Sequence, residues 1–315
     1  MGGDGFERLT MKANTLAVEV LPALGGKISS LRWKDVELLQ APLRPYAPRT
    51  AEMGFEESDA SGWDECLPSI ARCAIAGSRG SVAIPDHGEF WRLPCEMEQR
   101  GECEIRLTAT GRVLPLRLER TLRLEGETLR IDYRLENVGE TEAPYLWSAH
   151  SLFDVDAGDA IVLPPSVRKV AVEHSIHGRL GAKGKVHSWP IAELRDGGGV
   201  NLSRAGDAGD DIGDKLYAAS PVEGWAAIER RRAGLRVRVE FDRVSSPYLG
   251  LWLCYGGWPE DQTARQQCVA LEPCTAPADS LAEAMEAAQA RVLAPVLAPG
   301  QSAFWWMTVT VSEIS

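Results

Sequence analysis

The sequence predicts an all-β protein, a large antiparallel β-sandwich with few short helices, and three observations carry that prediction. Runs of strand length with alternating apolar and polar residues, or with clustered β-branched residues, recur along the chain. Gly and Pro punctuate nearly every gap between them. A single stretch has convincing helical spacing, so the regular strand–helix alternation of an α/β fold is missing and two packed sheets are expected.

In chain order, the expected strands begin with Thr15 to Leu21 and Gly26 to Trp33, followed by Glu104 to Thr110. A long pair follows, Leu116 to Leu124 and Thr128 to Leu135, joined through Glu125-Gly126-Glu127. In its first arm Leu116, Leu118, Arg120, Leu122 and Leu124 share one face against Arg117, Glu119, Thr121 and Arg123, the pattern of a hairpin with one buried side. Further strands are expected at Ala160 to Leu163, Trp225 to Arg230, Leu235 to Phe241, Tyr248 to Tyr255, Val269 to Leu271 and Ala303 to Val311. In the last of these, one of Trp305 and Trp306 should point inward and the other outward. The helix runs from about Pro277 to Val292, with Leu281, Ala284, Met285 and Ala288 in register, Asp279 or Ser280 as cap, and Pro295 and Pro299 preventing extension. Lys183 to Asp214, rich in Gly and Asp, reads as a long surface excursion.

No internal boundary divides the 315 residues, so 1–315 is expected to form a single sandwich domain. A content of 44% hydrophobic and 25% charged residues is that of a globular chain able to bury a core. The net charge of −11 argues against nucleic acid or an anionic membrane as partner, because both require a basic surface. Seven cysteines without CxxC spacing suggest neither a zinc cluster nor a disulfide framework, and fit a reducing cytoplasm. The start MGGDGFERLT lacks the apolar stretch of a signal peptide, and no run reaches membrane-spanning length. A cytoplasmic location is therefore expected.

Three stretches combine unusual residue types: PDHGEFW around His87, WSAHSLFDV around His150 and ALEPCTAPADSL around Glu272. A β scaffold can bring such distant segments together, and opening and closing a sugar ring needs one proton donor and one acceptor. Taken singly, each residue also fits a plainer role. His87 could be a turn histidine, His150 a strand residue packed beside Trp147 and Phe153, and Glu272 a solvated carboxylate at a rim.

The joint order of the motifs is more specific. VLPALGGKISSLRWKDVELL, GWDECLPSI followed by PDHGEFW, HSLFDV, and LEP near the C-terminus resemble, in order and approximate spacing, the aldose 1-epimerase (galactose mutarotase-like) family. The resemblance implies a galactose mutarotase-like sandwich that interconverts the α and β anomers of a sugar without cofactor or metal. It makes His150 the general acid toward the ring oxygen, Glu272 the base toward the anomeric hydroxyl, and His87 a residue that holds the sugar. With ordinary pKa values near 6.5 and 4.3, the acid and base are expected to work without large tuning. Arg72, in the loose match PSIARC, and Asp214 would stand where the family binds sugar, and for both a surface salt bridge is an equal expectation. Trp63, Asp64, Trp91 and Lys215 are further candidates, since sugar sites combine aromatic platforms with charged groups that grip hydroxyls. Trp252 and Trp258 could line a cleft or pack in the core. His174, His177 and His187 match no motif and are expected at the surface, with no third ligand to make a metal site of the first two.

The sequence departs from the better-known members at two places: His87-Gly88-Glu89 replaces HGG, and Ser151 replaces the proline after the catalytic histidine. These departures keep a second reading open, a non-catalytic carbohydrate-binding or sensing protein on the same fold. A glycoside-processing enzyme pairing Asp64 or Glu65 with Glu272 is a third. In every case the expected partner is a small-molecule sugar; the oligomeric state is not legible.

Overall fold

A computed structural model describes residues 5–77, 80–218, 223–260, 262–287 and 294–314. Its strands form two large sheets. One has eleven strands, ordered Leu9–Ala13, Leu16–Leu21, Lys27–Trp33, Trp63–Cys66, Ser148–Asp154, Gln267–Cys274, Tyr248–Tyr255, Ile212–Ala218, Lys169–Ser175 and Val186–Ser188, with Val36–Glu37 beside Lys27–Trp33. The other has eight, ordered Ala160–Val162, Trp225–Arg230, Leu235–Phe241, Ser302–Glu313, Thr128–Asn137, Leu116–Glu125, Glu104–Thr110 and Glu96–Gln99. Neighbouring strands pair antiparallel in both, and residues from the inner faces of the two sheets merge in one hydrophobic cluster.

The long hairpin has the expected register, Leu116 opposite Asn137 through Glu125 opposite Thr128. Its Leu116, Leu118, Arg120, Leu122 and Leu124 are all buried. Arg120 survives on that apolar face because Glu65, reaching from the other sheet, accepts its Nη1–H at 2.9 Å. Glu65 also accepts the Tyr133 hydroxyl at 3.0 Å and the Trp147 indole N–H at 2.7 Å. Removing one partner of a buried pair this well hydrogen-bonded would leave an uncompensated charge in the core. Trp305 points into the same core and Trp306 away from it.

Two expectations gain detail. The surface excursion from Lys183 to Asp214 is mostly exposed and carries short strands, Val186–Ser188, Ile191–Glu193 and Gly199–Asn201, and the strand Ile212–Ala218 begins inside it. These strands are too short, and too closely bracketed by Gly and Asp turns, to show a period. The helix is described as Leu281–Ala287, with its later part, including Ala288, outside the described residues. Ser280 is its cap, its Oγ accepting the Glu283 N–H at 3.4 Å, which frees Asp279 for a different task.

Candidate functional site

Strand alternation decides which side chains meet. On Ser148–Asp154, Ala149 and Phe153 enter the core between the sheets, so Ser148, His150 and Leu152 face the opposite side of the larger sheet. On Gln267–Cys274, Val269 and Leu271 enter the core and Glu272 faces the same side as His150. Between these two strands the ladder is paired at Ser148–Cys274 and again from Leu152–Ala270 onward, and is open in between. Pro273, which has no N–H to donate, sits in that opening. Ser151 bridges it by donating its hydroxyl to the Leu271 carbonyl at 2.9 Å.

His87, His150 and Glu272 line one pocket of about 580 Å³, together with Phe55, Ile70, His174, Lys215, Trp252, Trp258, Gln266 and Asp279. The His87 and His150 rings lie 5.1 Å apart, and Phe55 stacks on His87 at 4.4 Å while meeting His150 edge-on at 4.8 Å. Trp252 donates its indole N–H to Gln266 at 2.9 Å, which fixes one aromatic wall.

The turn carrying His87 is heavily constrained. His87 has φ of 54° and Gly88 has φ of 70°, and a Cβ on Gly88 would lie 2.1 Å from the Leu67 carbonyl oxygen. Only glycine fits there. Asp86 accepts the Phe55 N–H at 2.9 Å and pairs with His87 Nδ1 at 2.9 Å. Burial works against the Asp86 charge, but the His87 ring and the Phe55 N–H outweigh it and hold the carboxyl down at about 2. Trp91 donates to the Asp86 and Gly88 carbonyls from beneath the turn. Glu89, the departure from HGG, accepts the backbone N–H groups of Arg112, Val113 and Leu114 and so ties the turn to the loop that joins Glu104–Thr110 to Leu116–Glu125.

Glu272 is fully buried and forms an ion pair with Lys215 through Oε2, which also accepts the Ser148 hydroxyl at 3.3 Å. Its Oε1 is buried and has no hydrogen-bond partner among the described residues, and the same holds for His150 Nδ1. Burial raises the Glu272 carboxyl, with Lys215 offsetting part of the rise. Burial opposes the charge on Lys215, yet Glu272 and Asp279 outweigh it and hold the ammonium above its ordinary value. His150 is pushed well below the usual histidine range by burial first and by the nearby His87, Lys215 and Lys27 second. Ordinary pKa values, expected from the sequence, therefore do not describe this pair.

The other candidates lie elsewhere. Asp64 is buried in a charge cluster, 2.6 Å from Lys27 and 2.8 Å from Arg49. Trp63 is fully buried in the main core and Trp91 supports the His87 turn. Arg72 is exposed and outside the pocket lining. Asp214 points to the face opposite Lys215, where Ser175 and Arg179 bind it at 2.7 and 2.9 Å. Glu65 is on the core side and cannot pair with Glu272; the pocket's other carboxylate is Asp279, which accepts the Tyr217 hydroxyl at 2.6 Å.

One histidine expected at the surface is placed differently. His187 is buried and donates its Nε2–H to the Leu180 carbonyl at 2.7 Å. His174 is exposed but lines the pocket, because a register shift between Val172 and His174 sets it opposite Lys215, where a regular ladder would have set Glu173. His177 is exposed and paired with Asp211 at 2.9 Å. Phe55, Ile70 and Gln266 were not singled out by the sequence, and Asp279, within ALEPCTAPADSL, was expected only as a helix cap.

No protein-family model matches this chain, and no curated protein matches it in sequence. Solved structures do. A galactose mutarotase-like protein from Lactobacillus casei superposes with a TM-score of 0.69 at 15% identity, over 97% of this chain and 100% of that one. A galactose mutarotase related enzyme from Lactobacillus acidophilus gives 0.67 at 14%, over 98% and 100%. An aldose epimerase homologue from C. elegans gives 0.66 at 13%, over 99% and 100%. At such identities the likeness is one of fold: the chain has the galactose mutarotase-like β-sandwich.

Proposed function

We propose that this chain is an aldose 1-epimerase, a mutarotase in which His150 and Glu272 open and close a sugar ring. The observation that carries the reading is that two buried polar atoms without a hydrogen-bond partner among the described residues, His150 Nδ1 and Glu272 Oε1, belong to side chains that line the same pocket. Ring opening moves the anomeric hydroxyl proton to Glu272 and a proton from His150 to the ring oxygen, leaving a carboxylic acid and a neutral imidazole. Rotation about the bond between the first two carbons and closure on the other face return both protons. Burial disfavours both starting charges, so taking up the proton that makes His150 a donor is part of the barrier to ring opening, while Lys215 keeps the starting carboxylate accessible. Trp252, Trp258 and Phe55 offer apolar faces to sugar C–H groups, and Asp279, Lys215 and His174 offer polar groups to hydroxyls. His87 orients the sugar from its fixed turn.

A single sandwich domain and a reducing, cytoplasmic compartment belong to the same proposal. The core cluster shared by the two sheets supports the first, and seven free thiols support the second. The test is NMR exchange between anomers of a panel of aldoses and aldose phosphates. The parent should exceed the buffer rate for at least one sugar, and His150→Ala or Glu272→Gln should each remove about 10²- to 10⁴-fold. A folded chain with no acceleration on any sugar contradicts the reading.

The Lys215–Glu272 ion pair favours a second reading, because it already engages one oxygen of the would-be base. In that case the chain binds a carbohydrate without turning it over. The same experiment separates the two: saturable sugar shifts in the pocket with exchange at the buffer rate would mark a binding protein.

A further inference from the structure

Cys66, His87 and His150 are far apart in the chain, yet their potential ligand atoms all lie within 4.8 Å of one another. We propose that these three side chains form a binding site for a borderline-soft divalent cation, Zn²⁺ foremost, at the wall of the sugar pocket.

The donor set suits that ion. One thiolate and two imidazoles are the ligands that zinc shares with softer transition metals, and three protein ligands, two of which (His87 and His150) line the pocket, are the pattern of zinc sites that keep a fourth position for an exchangeable group. Ligands about 2.0–2.3 Å from a tetrahedral ion stand about 3.5 Å apart, so the donors need to draw together by roughly an ångström. Each donor is also prepared. His87 binds Asp86 through Nδ1, which leaves Nε2 for a metal and supplies the carboxylate that orients metal-binding histidines. His150 is 6% exposed, and its buried Nδ1 has no hydrogen-bond partner among the described residues. Cys66 is fully buried, opposite Ser148 on the strand next to that of His150, and is not in a disulfide. His87, 18% exposed at its side chain, opens the way in.

On binding, the Cys66 S–H bond breaks and an S–metal bond forms, the proton leaving to solvent; both imidazoles bind as neutral rings through lone pairs, and no electron moves. An ion held by His150 withdraws that imidazole from a sugar. Metal and sugar should therefore compete, but the metal site itself does not depend on the proposed reaction.

The test is titration of the full chain, stripped with a chelator, with Co²⁺ as a coloured substitute and then with Zn²⁺. The site predicts a thiolate-to-cobalt charge-transfer band that saturates at one Co²⁺ per chain and is displaced by Zn²⁺. Cys66→Ser should abolish the band. His87→Gln, at a partly exposed position, and Asp86→Asn should each raise the Co²⁺ Kd, the latter by about 10- to 100-fold. Absence of the band in the parent, or an unchanged band and Kd in either Cys66→Ser or a natively folded His87→Gln, overturns the proposal. Cobalt binding without mutarotation leaves the metal site standing and removes the enzymatic reading; mutarotation without cobalt binding does the reverse.

Discussion

Replacing Lys215 by Met takes the cation from an ion pair whose side chains are 7% and 0% exposed. The remaining carboxylate has no partner for Oε1 among the described residues, and Oε2 keeps the Ser148 hydroxyl at 3.3 Å. Breaking a buried pair from one side costs about 3–5 kcal/mol, since the other charge stays desolvated. For 315 residues, with an unfolding entropy of about 2.1 cal/mol/K per residue, that loss lowers Tm by about 5–8 °C. Adding Glu272→Gln removes the orphaned charge, so the double variant should be more stable than Lys215→Met alone, with a coupling energy of about 1–3 kcal/mol. Thermal and urea unfolding of the four proteins gives the cycle directly. Activity adds a second readout: without Lys215, the rise of the Glu272 carboxyl caused by burial loses its main offset, so the ionised base appears at higher pH and the rising limb of the rate–pH profile moves upward. A Lys215→Met chain as stable as the parent, or a double variant whose loss equals the sum of the singles, refutes the reasoning.

Gly88→Ala forces a side chain into the left-handed region and against the Leu67 carbonyl, so it should cost more than the usual penalty of about 1–3 kcal/mol for such strain and displace His87. Urea unfolding together with anomer exchange reads both effects, and parental stability would contradict the constraint assigned to the turn. Asp59 is held below the ordinary aspartate range: burial raises it, but Lys27 at 2.9 Å and Arg49 at 2.7 Å outweigh that rise. A depressed carboxyl contributes stability that is complete above the ordinary value, about 4, and is lost as pH falls through the depressed folded value. The stability gap between parent and Asp59→Asn should accordingly hold steady near neutrality and close on acidification; a gap that persists in strong acid contradicts the assignment.

What the sequence made legible follows from exposure. The hairpin of Leu116–Glu125 and Thr128–Asn137 has one face inward and one outward, so its alternation could be read residue by residue, including Arg120 on the buried side. Ser148–Asp154 has six of its seven residues buried, and Ile212–Ala218 also six of seven, so neither shows a period although both carry the pocket. Motif order pointed to His87, His150 and Glu272 because those residues sit in distinctive contexts. Asp214 was the wrong neighbour: a one-residue step along a strand moves a side chain to the other face, and the pocket receives Lys215. His174 depended on a β-bulge, which sequence periodicity does not announce. The charge cluster of Lys27, Arg49, Asp59 and Asp64 absorbed another candidate, because a buried carboxylate paired to two cations serves the scaffold.

The most direct measurement is a crystal structure of the chain with an aldose bound. The account predicts one sugar ring in the pocket between Trp252 and the His87 turn, its anomeric hydroxyl hydrogen-bonded to Glu272 Oε1 and its ring oxygen to His150. A sugar bound with its anomeric carbon turned away from both side chains, or one seated elsewhere on the sheet, would contradict it.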